Sequence, residues 1–370
     1  MRKLYLVAAC LILSTSLLAG RLHAVTYTIK ELPGLPDGKG GRGPQAINSK
    51  GQIAGMMRDA DGNERVVIWD AKGNIRQLDS LPGHTVNWAL DINDIGQVVG
   101  WSQDPDRRVR HAVLWDVHGK PHDLGTLGGD WSEATAINNK GCVVGHSHAK
   151  ESKARAFLWT PGRGMVDLGA LPDGMSFAED IDDSGRIVGW STDAEYKPHA
   201  VIWDLGGKMK DLTPILGLET GTLFAANGKG RIAGKEGAKC GKGNAFLWEA
   251  GKKPRDLGRL MNLPKFVGFI DPPPVPESCP TDINDSGHVV GWSSDERTHC
   301  HAFFWSAETG MIDLGTLPRE KEREEDGARI VPGLDKLFEG QTWSEATGIS
   351  NDGTIVGSSN GRPVIRTRVR

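Results

Sequence analysis

The sequence predicts an all-β chain, a seven-bladed β-propeller of four-stranded repeats about 45 residues long, its ring closed by an N-terminal strand. Three observations predict it. One nine-residue phrase recurs seven times, each repeat holds four short strand-like runs, and the two ends of the chain supply complementary parts of one repeat. Composition agrees, because 49 glycines in 370 residues with only 38% hydrophobic residues call for many tight turns and few helices.

Residues 1–24 read as a secretion signal. Met1-Arg2-Lys3 gives a basic start, Leu4 to Leu18 is apolar apart from Ser14, Thr15 and Ser16, and Leu22-His23-Ala24 suits cleavage before Val25. The apolar run is shorter than the roughly 20 residues of a spanning helix. Too little apolar sequence precedes Cys10 for lipidation. Cleavage near Ala24 removes Arg2, Lys3 and Arg21 and leaves 41 basic against 47 acidic side chains, a charge of −6. The mature chain, 25–370, is expected outside the cell or in the periplasm, with no membrane span. Its charge excludes a strongly basic nucleic-acid binder, and nothing in it calls for a cofactor.

Tyr27 to Leu32 reads as an orphan fourth strand. The first full phrase is Ile47-Asn48-Ser49-Lys50-Gly51-Gln52-Ile53-Ala54-Gly55, and it returns at Ile92 to Gly100, Ile137 to Gly145, Ile181 to Gly189, Ala226 to Gly234, Ile283 to Gly291 and Ile349 to Gly357. Its first glycine falls at 51, 96, 141, 185, 230, 287 and 353. Asn followed three residues later by Gly predicts a type I turn closed by a left-handed glycine between two strands. A third strand follows, such as His111-Ala112-Val113-Leu114-Trp115 or His301-Ala302-Phe303-Phe304-Trp305, and then a short Asp-Leu strand, such as Asp123-Leu124 or Asp313-Leu314. The seventh repeat stops after Arg362-Pro363-Val364-Ile365, so the orphan strand at Tyr27 completes it. The wider spacings of the last repeats place two insertions between blades, at about 259–281 and 318–342.

The Ile-Asn-x-x-Gly-x-Val-Val-Gly-x-Ser and His-Ala-Phe-x-Trp phrases resemble those of the HAF-repeat family of bacterial extracellular proteins. The resemblance covers nearly the whole mature chain and implies secretion and a repeat architecture. It implies no defined activity, so no catalytic residue is carried over. Repeats one, five and seven depart from it, with Arg65-Val66, Asn244 and Arg362-Pro363 where the His phrase would stand.

In such a fold the between-blade loops and the second-to-third-strand loops share one face, the loop face, and the glycine turns share the other. Loops that vary without breaking a blade are where ligand sites belong. Trp88, Trp131 and Trp343 are expected there just before first strands, and Trp101, Trp190 and Trp292 just after second strands. Such rings suit stacking on sugars, although the repeated Gly-Trp-Ser position also suits packing between blades. Acids are expected at or beside the start of inner strands: Asp91, Glu133, Glu179, Asp180, Asp282 and Glu345. Of these, Asp91, Glu179, Asp180 and Asp282 are the candidates for general acid and base in glycoside cleavage, and Glu133 and Glu345 stand beside the ligand-binding tryptophans. Asp91, Asp180 and Asp282 alternate with alanines at the same position, which fits strand-end capping equally well. His111, His199 and His301 head third strands and are expected to bond neighbouring loops, not to share a metal. Asp59 to Asn63 lacks the later ligands of a calcium loop and reads as a hairpin turn.

Cys279 and Cys300 flank the sixth repeat and suggest a disulfide pinning the first insertion, with Cys240 as a rival partner and Cys142 left as a thiol. The expected function is a secreted binding or scaffold module that offers the tryptophan-rich face to an extracellular ligand, glycans first. A polysaccharide hydrolase or lyase at the same face, or a protein-binding repeat that uses the two insertions with Phe266 and Phe269, are the alternatives.

Overall fold

Short runs of branched and aromatic residues, punctuated by glycine, make β structure the local preference throughout. The computed structural model describes residues 25–369 except 37–39, 41, 107–108, 151–152, 238–242, 261–276, 295–299 and 318–342. The secretion signal, Cys240, Phe266, Phe269, most of the first insertion and all of the second therefore lie outside the described residues.

The chain is all-β. After β1 (Tyr27–Glu31), repeat one forms β2 (Gly43–Ile47), β3 (Ile53–Arg58), β4 (Glu64–Trp69) and β5 (Ile75–Gln77). Repeat two forms β6 (Val86–Ile92), β7 (Val98–Asp104), β8 (Val109–Trp115) and β9 (Pro121–Asp123). Repeat three forms β10 (Gly128–Ile137), β11 (Val143–Ala149), β12 (Ala154–Thr160) and β13 (Gly164–Asp167). Repeat four forms β14 (Ser176–Ile181), β15 (Ile187–Thr192), β16 (Pro198–Trp203) and β17 (Met209–Asp211), followed by a single helical turn, α1 (Thr213–Leu216). Repeat five forms β18 (Gly221–Ala226), β19 (Arg231–Glu236), β20 (Ala245–Glu249) and β21 (Arg255–Gly258). Repeat six forms β22 (Ser278–Ile283), β23 (Val289–Ser294), β24 (Cys300–Ser306) and β25 (Gly310–Asp313). Repeat seven forms β26 (Ser344–Ile349), β27 (Ile355–Ser359) and β28 (Arg362–Arg368).

Within each repeat the strands pair antiparallel in chain order. Repeats one to three are joined into one sheet by single parallel bridges, Glu64 to Val86 and Arg110 to Trp131. The three strands of repeat seven gain β1 as a fourth, with Tyr27 opposite Arg368 and Glu31 opposite Val364. First strands of consecutive repeats lie side by side, and β26 lies beside β2.

Each recurring phrase has a mechanical cause. In the first turn, Asn48 Oδ1 accepts the N–H groups of Lys50 and Gln52, and Gly51 takes φ 73°. The glycine of Val-Val-Gly faces an irregular step in the first strand, where register slips between Ala89 and Asp91. A Cβ at Gly100 would overlap the Trp88 carbonyl oxygen, so only glycine fits there. The His and Asp-Leu phrases serve each other. His111 Nδ1 pairs with Asp123 Oδ2 at 2.8 Å, His199 with Asp211 at 2.9 Å and His301 with Asp313 at 2.8 Å. The other oxygen of Asp123 accepts the Gly125 N–H, turning the chain toward the next repeat. These histidines therefore hold the fourth strand of their own repeat, and His199 also meets the expected kind of partner, Asp193 in the adjoining loop, at 3.4 Å. Asp59 caps its hairpin through the Asn63 N–H and bonds Arg65, as a turn residue does.

The core is a series of apolar layers between one repeat and the next. Trp115, fully buried, packs with Val113 and Ala89 against Met56 and Ile68 of repeat one, and its indole N–H donates to the Asp79 carbonyl. Burying a side chain of this size contributes about 3 kcal/mol. The last layer joins Leu32 and Val356 to Ile53, Val67 and Trp69.

The Cys279–Cys300 pairing is corrected. Cys279 lies on β22 and Cys300 on β24, with β23 between them, since Cys279 faces Trp292 and Cys300 faces Ser294. Two strand spacings and the two-residue offset along β23 set their Cα atoms roughly 11–12 Å apart, beyond the reach of about 7 Å. Cys142 is a free, half-buried thiol whose pKa burial raises.

Candidate functional site

The inner ends of the first strands converge on a cavity of about 310 Å³, lined by residues such as Asp91, Asn138, Asp180, Asn227, Asp282 and Ser350. Here the position of three acids is corrected. Asp91, Asp180 and Asp282 are the penultimate residues of β6, β14 and β22. They lie next to the glycine turns, at the opposite end of the strand from its start, because the strands begin three to five residues earlier than expected.

Each of the three clamps two repeats. Asp91 accepts the N–H of Ile92 at 2.7 Å and that of Ile137 in the next repeat at 2.8 Å. Asp180 does the same for Ile181 and Ala226, and Asp282 for Ile283 and Ile349, all at 2.7 Å. Each keeps a half-buried surface on the cavity, yet protein surrounds it on all sides and leaves little water to hydrate a charge. Burial therefore pushes Asp91 and Asp282 up to about 6, against the two N–H bonds each accepts. Asp180, which also feels the charges of Asp91 and Asp282, rises to about 8. These shifts would suit a general acid, but both oxygens of each carboxylate are committed to backbone. The arrangement is that of an inter-repeat clamp.

An amide relay reinforces it. The side-chain amide of Asn48 donates to the Asn93 carbonyl at 3.0 Å, Asn93 to Asn138 at 3.2 Å, and Asn138 to Asp182 at 3.1 Å. Asn227 and Asn284 continue it to Asn284 and Ser350. It is interrupted at Asp182 and Ser350, whose side chains carry no amide donor. Among the described residues, no three His, Cys, Asp or Glu side chains are gathered around a metal position.

The loop-side ends of the strands carry a different chemistry. Arg42 lies over Trp88 at 4.7 Å, and Trp88 stacks on Trp101 at 5.4 Å and 14°. Arg110 lies over Trp101 at 3.9 Å and over Trp131 at 5.6 Å, and pairs with Glu133 at 3.2 Å. Trp131 meets His146 and His148 at 4.8 and 5.0 Å, His146 meets Phe177, and Phe177 stacks on Trp190 at 4.1 Å. The Trp190 indole donates to Glu179, and Glu345 accepts from the Ser358 hydroxyl. Trp292 lies 5.8 Å from Lys235, which is fully buried and paired with Glu277.

The structure thus gathers Trp88, Trp101, Trp131 and Trp190 into one arc across repeats two to four, with Glu133 and Glu179 bonded into it. Trp292, Glu345 and Trp343 lie outside that arc. Both ring faces of Trp101 are covered, by Trp88 and Arg110. Trp343, just before β26, is 40% exposed and is the most exposed of the six. Trp131 is half-buried, and both head the same five residues, Trp-Ser-Glu-Ala-Thr. Sequence reasoning did not identify the cations Arg42 and Arg110 against the rings. Their signal was weak, because Arg42 and Trp88, and Arg110 and Trp131, come from different repeats, and Arg110 meets Trp101 only through the pairing of β7 with β8.

No protein-family model matches the chain, and no curated protein matches it. Among solved structures it is similar to the β-propeller domain of the Trilobed protease from Pyrococcus furiosus, described as having an open velcro topology (12% identity, 90% of this chain and 94% of that one, TM-score 0.53). It is also similar to a streptogramin B lyase (9% identity, 93% and 98%, TM-score 0.52). A prolyl endopeptidase matches at 9% identity over 93% of this chain and 50% of its own, with TM-score 0.56. At such identities the likeness is one of fold alone, and that fold is β-propeller-like.

Proposed function

We propose that this chain is a secreted seven-bladed β-propeller of the HAF-repeat type and that it works as a binding module, its tryptophan-bearing loop face turned to an extracellular glycan. The ring reading is supported by β1 paired to β28 and by Thr347 Oγ1 donating to the Pro44 carbonyl at 3.1 Å, which joins the last repeat to the first. The observation that carries the binding reading is the division of labour between the two ends of the first strands. The axial aspartates are occupied by backbone N–H groups, while the opposite rim carries indole rings with polar neighbours, Trp343 exposed and Trp131 half so. An indole face beside a carboxylate suits a sugar ring, whose C–H face stacks while its hydroxyls hydrogen-bond.

A glycan-array screen of residues 25–370 beside a folded Trp131→Ala, Trp343→Ala variant tests this. Capture of a glycan family that the variant loses is the expected result. Capture of no neutral glycan by the unaltered protein, or equal capture of neutral glycans by both, would overturn the reading. The hydrolase alternative draws on the raised Asp91, Asp180 and Asp282. It requires turnover of a captured glycan that Asp180→Asn abolishes.

A further inference from the structure

The turn side of the molecule, away from the tryptophan arc, carries an uneven charge. In repeat five its two turns and the start of β21 bring Lys229, Arg231, Lys252, Lys253 and Arg255 together, with Glu249 the one carboxylate among them. No other repeat carries such an excess there, in a chain whose mature charge is negative. Arg231, Lys252, Lys253 and Arg255 border a partly enclosed cleft of about 290 Å³ between the turns of repeats five and six.

Inside the cleft the pairing is incomplete. Glu249 takes Lys252 at 3.0 Å and reaches Arg231 at 3.7 Å, and Arg231 also donates to the Ser286 carbonyl. Lys253 and Arg255 make no ion pair among the described residues. Arg255 lies over the Trp305 ring at 4.8 Å, which holds its guanidinium at the cleft wall. The remaining carboxylate on the lining is Glu308. On the side of repeat four the charge is balanced: Arg186 lies against Gly230 but is paired with Asp182 at 2.9 Å, and Lys208 and Lys210 line the next cleft together with Asp204.

We propose that this cleft is an anion subsite for a linear acidic polysaccharide, one bearing uronate or sulfate groups, that crosses the turn side of repeat five. A row of cations longer than one anion matches a polymer with regularly spaced charges. Single-stranded nucleic acid would call for exposed rings on which bases stack. Here Trp305 is buried, and the exposed rings Tyr196 and Trp343 belong to the loop side.

The test uses the whole mature chain with dextran sulfate and polygalacturonate as probes, and neutral dextran, inorganic sulfate and an oligothymidylate as comparisons, titrated at low and at physiological salt. The charge reversals Lys253→Glu with Arg255→Glu are set against Lys140→Glu with Arg163→Glu, an equal change of net charge on exposed turns of repeat three. Binding of both acidic polymers that weakens with salt, and that falls about tenfold or more only in the repeat-five variant, is the expected result. Neutral Lys253→Gln with Arg255→Gln should give an intermediate loss. Equal weakening by both reversals would reduce the effect to net charge and overturn the site. Sulfate ion binding without the polymers, or oligothymidylate binding as tightly as dextran sulfate, would overturn the polysaccharide assignment.

Discussion

At the scale of single residues the decisive groups are the three buried aspartates and the histidine–aspartate pairs. Because burial holds Asp91, Asp180 and Asp282 above the unfolded carboxylate value, the folded chain keeps protons that the unfolded chain releases. Their contribution favours the folded state at low pH and is lost as pH rises from about 4 through 6 to 8. Asp180→Asn should therefore flatten the pH dependence of the melting temperature between pH 5 and 8. It should also destabilise at pH 5 by about 1–3 kcal/mol, since an amide cannot accept both the Ile181 and Ala226 N–H groups. An unchanged pH profile would count against the clamp. In His111 the sign is opposite to that of a buried neutral imidazole. Its hydrogen bond to Asp123 raises its pKa against burial, so Asp123→Asn should lower that pKa, read by the histidine ring shifts in NMR. The pairing was only half legible. His and Asp recur twelve residues apart in repeats two, four and six. Spacing alone does not say that the third and fourth strands bring them face to face.

Among the elements, the hairpins and the third strands carry the repeat. Gly100→Ala should destabilise far more than Gly73→Ala, although only Gly73 has a positive φ. The first places a methyl on the Trp88 carbonyl, and the second meets nothing within 4 Å and strains only the backbone. Denaturant unfolding of the two variants measures the difference, expected to be about 1 kcal/mol for Gly73→Ala and several-fold larger for Gly100→Ala. Trp115→Ala, which empties the layer between repeats one and two, should cost about 3–5 kcal/mol. The turns were legible because Asn and Gly mark both ends of each one. The start of the first strand carries no such mark. Val86 and Gly128 extend β6 and β10 toward the loops, which is why the acids fall at the far end of the strand and Trp88 and Trp131 inside it.

For the molecule as a whole, repetition made the architecture legible and concealed the site. Seven copies of one phrase fix strand order and turn type, but a residue that recurs in register is as useful for packing as for binding. Trp101 resolves toward packing, buried between Trp88 and Arg110, while Trp343 stays exposed. The chain ends are the structural test of that architecture. A chain lacking Tyr27–Glu31 leaves β28 as an open edge and should melt several degrees lower and associate, as size-exclusion chromatography would report. An unaltered melting temperature would mean that β1 does not hold the last repeat.

The central functional claim concerns which face meets the ligand, and hydrogen exchange in the presence of the best array-selected neutral glycan addresses it directly. Protection is predicted at the loop-side strand ends, around Trp131 and at Trp343 to Glu345. Protection centred instead on the turns at 48–52 and 182–186, beside Asp180, would contradict the account and return the axial aspartates to the centre of the chemistry.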